Sequence, residues 1–279
     1  MKIHSFLIIG GDARLTALER SLRQSGFDVH IFSGEQPLKN AVEKCDSVIL
    51  GLPASRDDKY VNAPQLKTPV LLKDLFQLMG SGKRLFAGKM TDSVKAVADV
   101  FGILWADYCA CEEFEILNAV PSAEGAIQLA MEETAYTLSG ANVLITGYGK
   151  IGRILSRSLS ALGANVTICA RRAQSRAQIK ADNLTPSAFS FLPQLCKNTD
   201  ILFNTVPQRV IEKEALVNLK NALVIDLASN PGGVDFEAAR DIGVRVIWAL
   251  GLPGKVAPVT AGEIIKDTIF NILSETGDI

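Results

Sequence analysis

The sequence predicts an α/β protein made of two doubly wound parallel-sheet domains, the second a Rossmann dinucleotide-binding domain. Short apolar runs alternate with stretches of helical periodicity, the pattern of a parallel sheet covered on both faces. The 279 residues suit two domains rather than one. The third observation is Gly147-Tyr148-Gly149-Lys150-Ile151-Gly152, which lies between the apolar run Val143-Leu144-Ile145 and a helix-like stretch at 154–162. A Gly-x-Gly-x-x-Gly turn is weak evidence alone. Its flanking strand, helix and second strand at 166–170 make it a nucleotide unit.

The first domain is expected at residues 1–120. Residues 6–9 read as a strand leading into Gly10-Gly11-Asp12-Ala13-Arg14, and Leu15, Leu18 and Leu22 then recur at helical spacing. Residues 29–32 and 47–50 are the next strands, with 70–72 and 84–87 as further candidates. Residues 116–121 read as an edge or connecting segment. Ser122 is then a plausible N-cap for a helix running to about Leu138, which would bridge the domains over residues 121–139. The nucleotide domain is expected at 140–261, with later strands at 201–203, 223–225 and 245–247. Residues 251–262 read as a long Pro- and Gly-rich loop. A closing helix at 262–275, apolar at Ile264, Ile265, Ile269 and Ile272, is expected to pack on the first domain.

Composition excludes several classes. Hydrophobic residues make up 48 % and charged residues 21 %, so a large core can be buried and disorder is not expected. A net charge of −1 gives no reason to expect nucleic acid or an anionic membrane surface. No apolar run reaches the roughly 18 residues of a membrane span. The five cysteines form no disulfide or zinc spacing, and with no secretion signal they suggest reduced thiols in a cytoplasmic protein. His4 and His30 both fall in the first domain, so an acid/base histidine in the second domain is unavailable. No metal cluster or Ser-His-Asp arrangement is apparent.

The cofactor signal lies past the second strand of the nucleotide unit. An NAD enzyme usually carries Asp or Glu there, to accept from the ribose 2′-hydroxyl. This chain has Arg171 and Arg172, which suit a 2′-phosphate; the alternative is a solvated basic loop. NADP(H) is therefore expected. Gly147, Tyr148, Gly149, Lys150, Ile151 and Gly152 should cradle the pyrophosphate. Asn204, Thr205, Val206 and Pro207, with Leu227, Ala228 and Ser229, end the later strands where ribose and nicotinamide should sit, unless they merely make turns. Asp12 caps a helix start, and Arg14 in its first turn suits a carboxylate ligand. Lys255 either approaches an anionic ligand or is solvated.

Several segments together resemble the family of dipicolinate synthase A subunits: Gly10-Gly11-Asp12-Ala13-Arg14, residues 120–125, Asn204-Thr205-Val206-Pro207, residues 225–233 and Gly251-Leu252-Pro253-Gly254-Lys255-Val256-Ala257-Pro258. The resemblance covers nearly the whole chain and is least diagnostic over 55–118. Arg172 stands where the family has a small hydroxyl residue. The resemblance implies an NADP-dependent oxidoreductase subunit working with a flavoprotein, the B subunit, in spore-forming bacteria. The pair would oxidise a dihydrodipicolinate-type precursor to dipicolinate. Arg14 is then the candidate carboxylate anchor, and Glu124 and Ser122 the candidates for orientation or proton transfer, although Glu124 equally suits a helix start. Two alternatives stay open. One is a nucleotide-binding assembly subunit whose partner flavin performs the oxidation. The other is a shikimate-type or methylene-tetrahydrofolate-type dehydrogenase. A homo-oligomer is neither required nor excluded.

Overall fold

The computed structural model describes residues 2–279. The chain divides into two compact units, Met1–Asn118 with Ala257–Ile279, and Ala119–Val256. The first unit contains β1 (Ser5–Ile9), α1 (Ala13–Gln24), β2 (Asp28–Phe32), α2 (Leu38–Glu43), β3 (Ser47–Leu50), α3 (Leu72–Met79), β4 (Arg84–Ala87), α4 (Asp92–Val100) and β5 (Leu104–Asp107). Its strands are all parallel, in the order β2-β1-β3-β4-β5. This is a doubly wound sheet whose direction of winding switches between β1 and β3. All five residues of β1 are buried, because a central parallel strand is covered on both faces and reads as a continuous apolar run.

Helix α5 (Glu112–Glu133) begins in the first unit and continues into the second. The second unit adds β6 (Asn142–Thr146), α6 (Lys150–Ala161), β7 (Asn165–Cys169), α7 (Ala173–Ala181), β8 (Thr185–Ser187), α8 (Leu192–Leu195), β9 (Ile201–Asn204), α9 (Lys213–Leu216), β10 (Leu223–Asp226), α10 (Phe236–Ile242), β11 (Arg245–Trp248) and α11 (Leu252–Val256). Its six-stranded sheet has the order β11-β10-β9-β6-β7-β8, again all parallel. This is the Rossmann order, with the switch between β6 and β9.

Helix α12 (Pro258–Glu275) returns to the first unit. Its Ile264, Ile265, Ile269 and Leu273 join Leu15, Leu18 and Leu22 of α1 in one core. Gly262 permits this, since a Cβ there would lie 2.6 Å from the Arg14 carbonyl oxygen and 2.9 Å from the Ala17 Cβ.

Three local expectations are corrected. Residues 116–121 are helical, not a connecting segment, so Ser122 is no N-cap, and the helix ends at Glu133 rather than Leu138. Pro121 lies inside α5, where proline normally marks a boundary. The stripe Ala119, Ala123, Ala126 and Ala130 is buried on both sides of it, and that packing carries the helix through. Residues 251–262 are mostly helical: α11 precedes α12, and Pro258 takes the first position of α12, where its missing N–H costs nothing. Residues 70–72 are not a strand; Leu72 opens α3, and Leu71 makes only an isolated bridge with Tyr60.

Candidate functional site

The three glycines after β6 do different jobs. Gly147 has φ +97°, which a side chain would strain, and a Cβ there would strike the Thr205 hydroxyl. Gly152 is buried, and its Cβ would lie 2.5 Å from the Gly147 carbonyl oxygen, so glycine lets α6 pack against the strand end. Gly149 is the N-cap of α6, and nothing lies within 4 Å of where its Cβ would be. The open space stands over a helix N-terminus with unsatisfied N–H groups and no side-chain cap. That is the cradle a pyrophosphate needs, and the residues fit a dinucleotide. Lys150 and Ile151 form the first turn of this helix.

A groove of about 300 Å³ opens at this turn. Gly147, Tyr148 and Gly149 line it from the turn, Arg171, Arg172, Ser175 and Phe189 from the β7 side, and Thr205, Val206 and Pro207 from the loop after β9. No acidic side chain is among its lining residues. Both arginines are exposed. Arg171 donates from Nη2 to Gln208 Oε1 at 2.9 Å, and Arg176 Nη1 donates to the carbonyls of Ala170 (3.0 Å) and Arg171 (2.7 Å), fastening the peptide that carries the basic pair.

Tyr148 turns its ring into the unit, where Arg153 stands 5.4 Å from the ring centroid. Its hydroxyl donates to Asp182 Oδ2 at 2.5 Å. Burial, then that hydrogen bond, pushes the phenol up to about 12. The same bond, with Gln178 and Arg157, holds the Asp182 carboxyl below the ordinary carboxylate range.

Asn204 was expected to serve the cofactor, but its side chain is wholly buried and fully engaged within the protein. Its Oδ1 accepts from Thr146 Oγ1 (2.7 Å) and Val206 N (3.1 Å); its Nδ2 donates to Val206 O (3.0 Å) and Asp226 Oδ1 (2.7 Å). Leu227 N donates to Asn204 O at 2.8 Å, and Ala228 is buried, whereas Ser229 is exposed. Thr205, Val206 and Pro207 are the members of this group that line the groove.

Glu124 is exposed on α5 and Ser122 is buried on the same helix. Lys255 is exposed in the last turn of α11. These two helices meet at Gly125, whose Cβ would lie 3.0 Å from Leu252 and 3.1 Å from Val256. None of the three lines the 300 Å³ groove.

In the first unit, Asp12 caps α1 by accepting from Arg14 N at 3.0 Å and pairs with the Arg14 guanidinium at 2.6 Å. Arg14 is only 6 % exposed, and its Nη2 also donates to Leu52 O at 3.2 Å. Burial works against the guanidinium charge, but the hydrogen bond and charge of Asp12 outweigh it and hold the group above its ordinary value. Burial likewise raises the Asp12 carboxyl, and Arg14 more than reverses this. Arg14 Nη1 has no partner, and since no buried side-chain nitrogen lacks one among the described residues, this is the nitrogen that meets solvent.

Sequence reasoning missed Ser175, Phe189, Gln208, Asp182 and the buried pair Thr146 and Asp226. Asp226 had a signal, an acidic residue closing the apolar run of β10; the others had none. All five cysteines are free, and burial pushes Cys45 up to about 11 and Cys169 and Cys196 to about 12. Among the described residues no His/Cys/Asp/Glu group is arranged to hold a metal, and no helix is long and apolar enough to cross a membrane.

Comparison with known proteins agrees with this geometry. Residues 5–109 match the N-terminal domain of the dipicolinate synthase A subunit, and residues 119–230 match the NAD-binding domain of D-isomer specific 2-hydroxyacid dehydrogenases. The chain is 31 % identical to the A subunit of dipicolinate synthase from Bacillus subtilis (strain 168), over 96 % of this chain and 95 % of the relative. The crystal structure of the Bacillus subtilis protein superposes with a TM-score of 0.85 at 30 % identity, covering 99 % of this chain and 98 % of that one. The corresponding Bacillus halodurans structure gives 0.87 at 27 % identity, covering 97 % of each chain. The chain therefore belongs to the family of dipicolinate synthase A subunits, which are NAD(P)-dependent oxidoreductases.

Proposed function

We propose that this protein is the NADP-dependent oxidoreductase subunit of a dipicolinate synthase. With a flavoprotein B subunit it would oxidise a dihydrodipicolinate-type precursor to dipicolinate in the cytoplasm of a sporulating cell. The observation that carries the choice of NADP is the basic, acid-free β7 side of the groove, where Arg171 and Arg172 meet the place of the adenosine ribose. A 2′-phosphate needs cationic donors there; a bare 2′-hydroxyl needs the acceptor this chain lacks.

Bound in the groove, the dinucleotide supplies the hydride acceptor. Aromatisation of the ring is a two-electron oxidation, so beyond the hydride one ring proton would be left for the protein to take. The protein has to bind two carboxylates, orient the ring and take the proton. In this reading the solvent-facing Nη1 of Arg14, above the first turn of α1, anchors a carboxylate, and Asp12 holds the guanidinium in place. On the second unit the exposed Glu124 is the candidate proton acceptor and the exposed Lys255 the candidate contact for an anionic group. Ser122 is buried in mid-helix, so its part is to support the helix that presents Glu124.

The test is spectrophotometric. The purified chain is incubated with the dihydro precursor and NADP+ or NAD+, with and without the flavoprotein, and absorbance of the reduced nicotinamide is followed. Reduction of NADP+ ahead of NAD+ supports the reading. Dipicolinate formed only with the flavoprotein, without nicotinamide reduction, supports an assembly role in which the partner flavin performs the oxidation.

A further inference from the structure

Asp226 ends β10 with no exposed surface, and no lysine or arginine pairs with it among the described residues. Three N–H donors meet its carboxyl group instead. Asn204 Nδ2 and Ala228 N reach Oδ1 at 2.7 and 3.0 Å, and Gly233 N reaches Oδ2 at 2.7 Å. One donor belongs to the end of β9 and two to the loop that follows β10, so a single side chain ties residues 204–207 to residues 227–233. Two further contacts tighten the arrangement. Trp248 Nε1 donates to the Ala228 carbonyl at 2.8 Å. Gly233 packs so closely that a Cβ would collide with the Asn204 amide and lie 2.5 Å from the Val206 carbonyl oxygen.

A buried carboxyl group is a costly way to hold a strand, because an apolar residue of similar size would pack β10 without needing donors. A fully satisfied polar network does something apolar packing does not: it fixes loops in one arrangement. These loops stand on a definite side of the site. The strand order reverses between β6 and β9. The pyrophosphate cradle lies at β6 and the basic pair for the adenosine ribose at β7, so the nicotinamide half falls to the carboxyl ends of β9 and β10.

We propose that Asp226 is a positioning residue for the nicotinamide half of the cofactor. It holds the loops after β9 and β10 as a preformed wall, and the adenosine half, which meets only the first of these loops through Thr205, Val206, Pro207 and the Gln208 that holds Arg171, depends on it less. This rests on the NADP(H) reading above.

The experiment compares two ligands on the full chain by calorimetric titration: NADPH, which occupies both halves, and 2′,5′-ADP, which carries only the adenosine half with its phosphate. Asp226→Asn keeps the shape but turns one acceptor into a donor that faces N–H groups. The expected result is a rise of tenfold or more in the Kd for NADPH with a clearly smaller rise, threefold or less, in the Kd for 2′,5′-ADP. Trp248→Phe, which keeps a ring and removes the bond to Ala228, should give the same split in milder form and serves if the Asn variant does not fold. Equal weakening of both ligands, or a lowered Tm with neither ligand affected, overturns the proposal and leaves Asp226 a structural residue. If the wild type prefers NADH, NADH and ADP-ribose are compared in the same way, so cofactor choice and positioning are judged separately. A wild type that binds none of these nucleotides overturns both.

Discussion

The Tyr148 hydroxyl donates to Asp182 Oδ2 at 2.5 Å, tying the Gly-rich turn to the residue that ends α7. The turn that would cradle the pyrophosphate is thus anchored to the helix whose start carries the basic pair. Arg157 of α6 approaches the same carboxylate oxygen at 3.5 Å, so one acidic group joins the turn and the two helices that flank it.

Tyr148→Phe should keep the ring packed against Arg153 and lose this tie, lowering Tm by about 2–4 °C. The difference between wild type and variant depends on pH in a defined way. The Asp182 carboxyl is depressed, so its contribution is present above the ordinary carboxylate pKa of about 4 and fades as pH falls through the lower folded value. Tyr148 is raised to about 12, so its contribution is present below the ordinary value of about 10 and fades as pH rises toward 12. Thermal melts should show a plateau in the difference between about pH 5 and 9. A difference that vanishes at pH 7 contradicts the role given to this bond.

Gly149→Val should abolish nucleotide binding without harming the fold. Nothing lies within 4 Å of the Cβ position and φ is −83°, so the side chain is accommodated when no ligand is bound. It would then occupy the space left for the pyrophosphate. Circular dichroism and Tm close to wild type, with NADP(H) affinity reduced at least tenfold, are the expected pair of results. Unchanged affinity in a folded variant would place the pyrophosphate elsewhere.

Arg171→Ala should weaken NADP(H) by about 1.5–3 kcal/mol, the scale of hydrogen bonds to charged groups. NAD(H) affinity should hardly change. Gln208→Ala should reproduce part of the loss, because Gln208 orients the Arg171 guanidinium at 2.9 Å. Calorimetry that finds equal affinity of the wild type for the two cofactors rejects the assignment of a 2′-phosphate site.

Arg14→Ala and Asp12→Ala both break the pair of buried Arg14 with exposed Asp12 and should each lower stability, by about 1.5–3 kcal/mol for the arginine, whose bonds to Asp12 and Leu52 are both lost. Only the first removes the solvent-facing Nη1. If Arg14 anchors a carboxylate, Arg14→Ala raises KM for the dicarboxylate well above the value for Asp12→Ala, with NADP(H) affinity unchanged in both. Matching KM values would confine Arg14 to holding the first turn of α1. The depressed Asp12 carboxyl adds a pH signature: the stabilisation by the pair is intact above about pH 4 and is lost as acidification passes the lowered folded value.

The sequence by itself determined whatever depends on neighbours along the chain. Apolar runs bounded by turns marked the central strands of both sheets, the three glycines after β6 announced a turn, a cradle and a close helix, and Arg171 with Arg172 marked the basic strand end. These are short-range signals, carried by period, turn chemistry and charge within a few residues. Tertiary structure decided the rest. Pro121 looked like a boundary, yet the buried stripe from Ala119 to Ala130 carries α5 through it, because packing outweighs a single missing hydrogen bond. Asn204 looked available to a ligand; Asp226, 22 positions away, takes up its amide because β9 and β10 are adjacent in the sheet. Tyr148 and Asp182, 34 positions apart, meet only after α6 and α7 are in place. Contacts of this kind have no local period, so strand order and helix placement alone bring the partners within hydrogen-bonding distance.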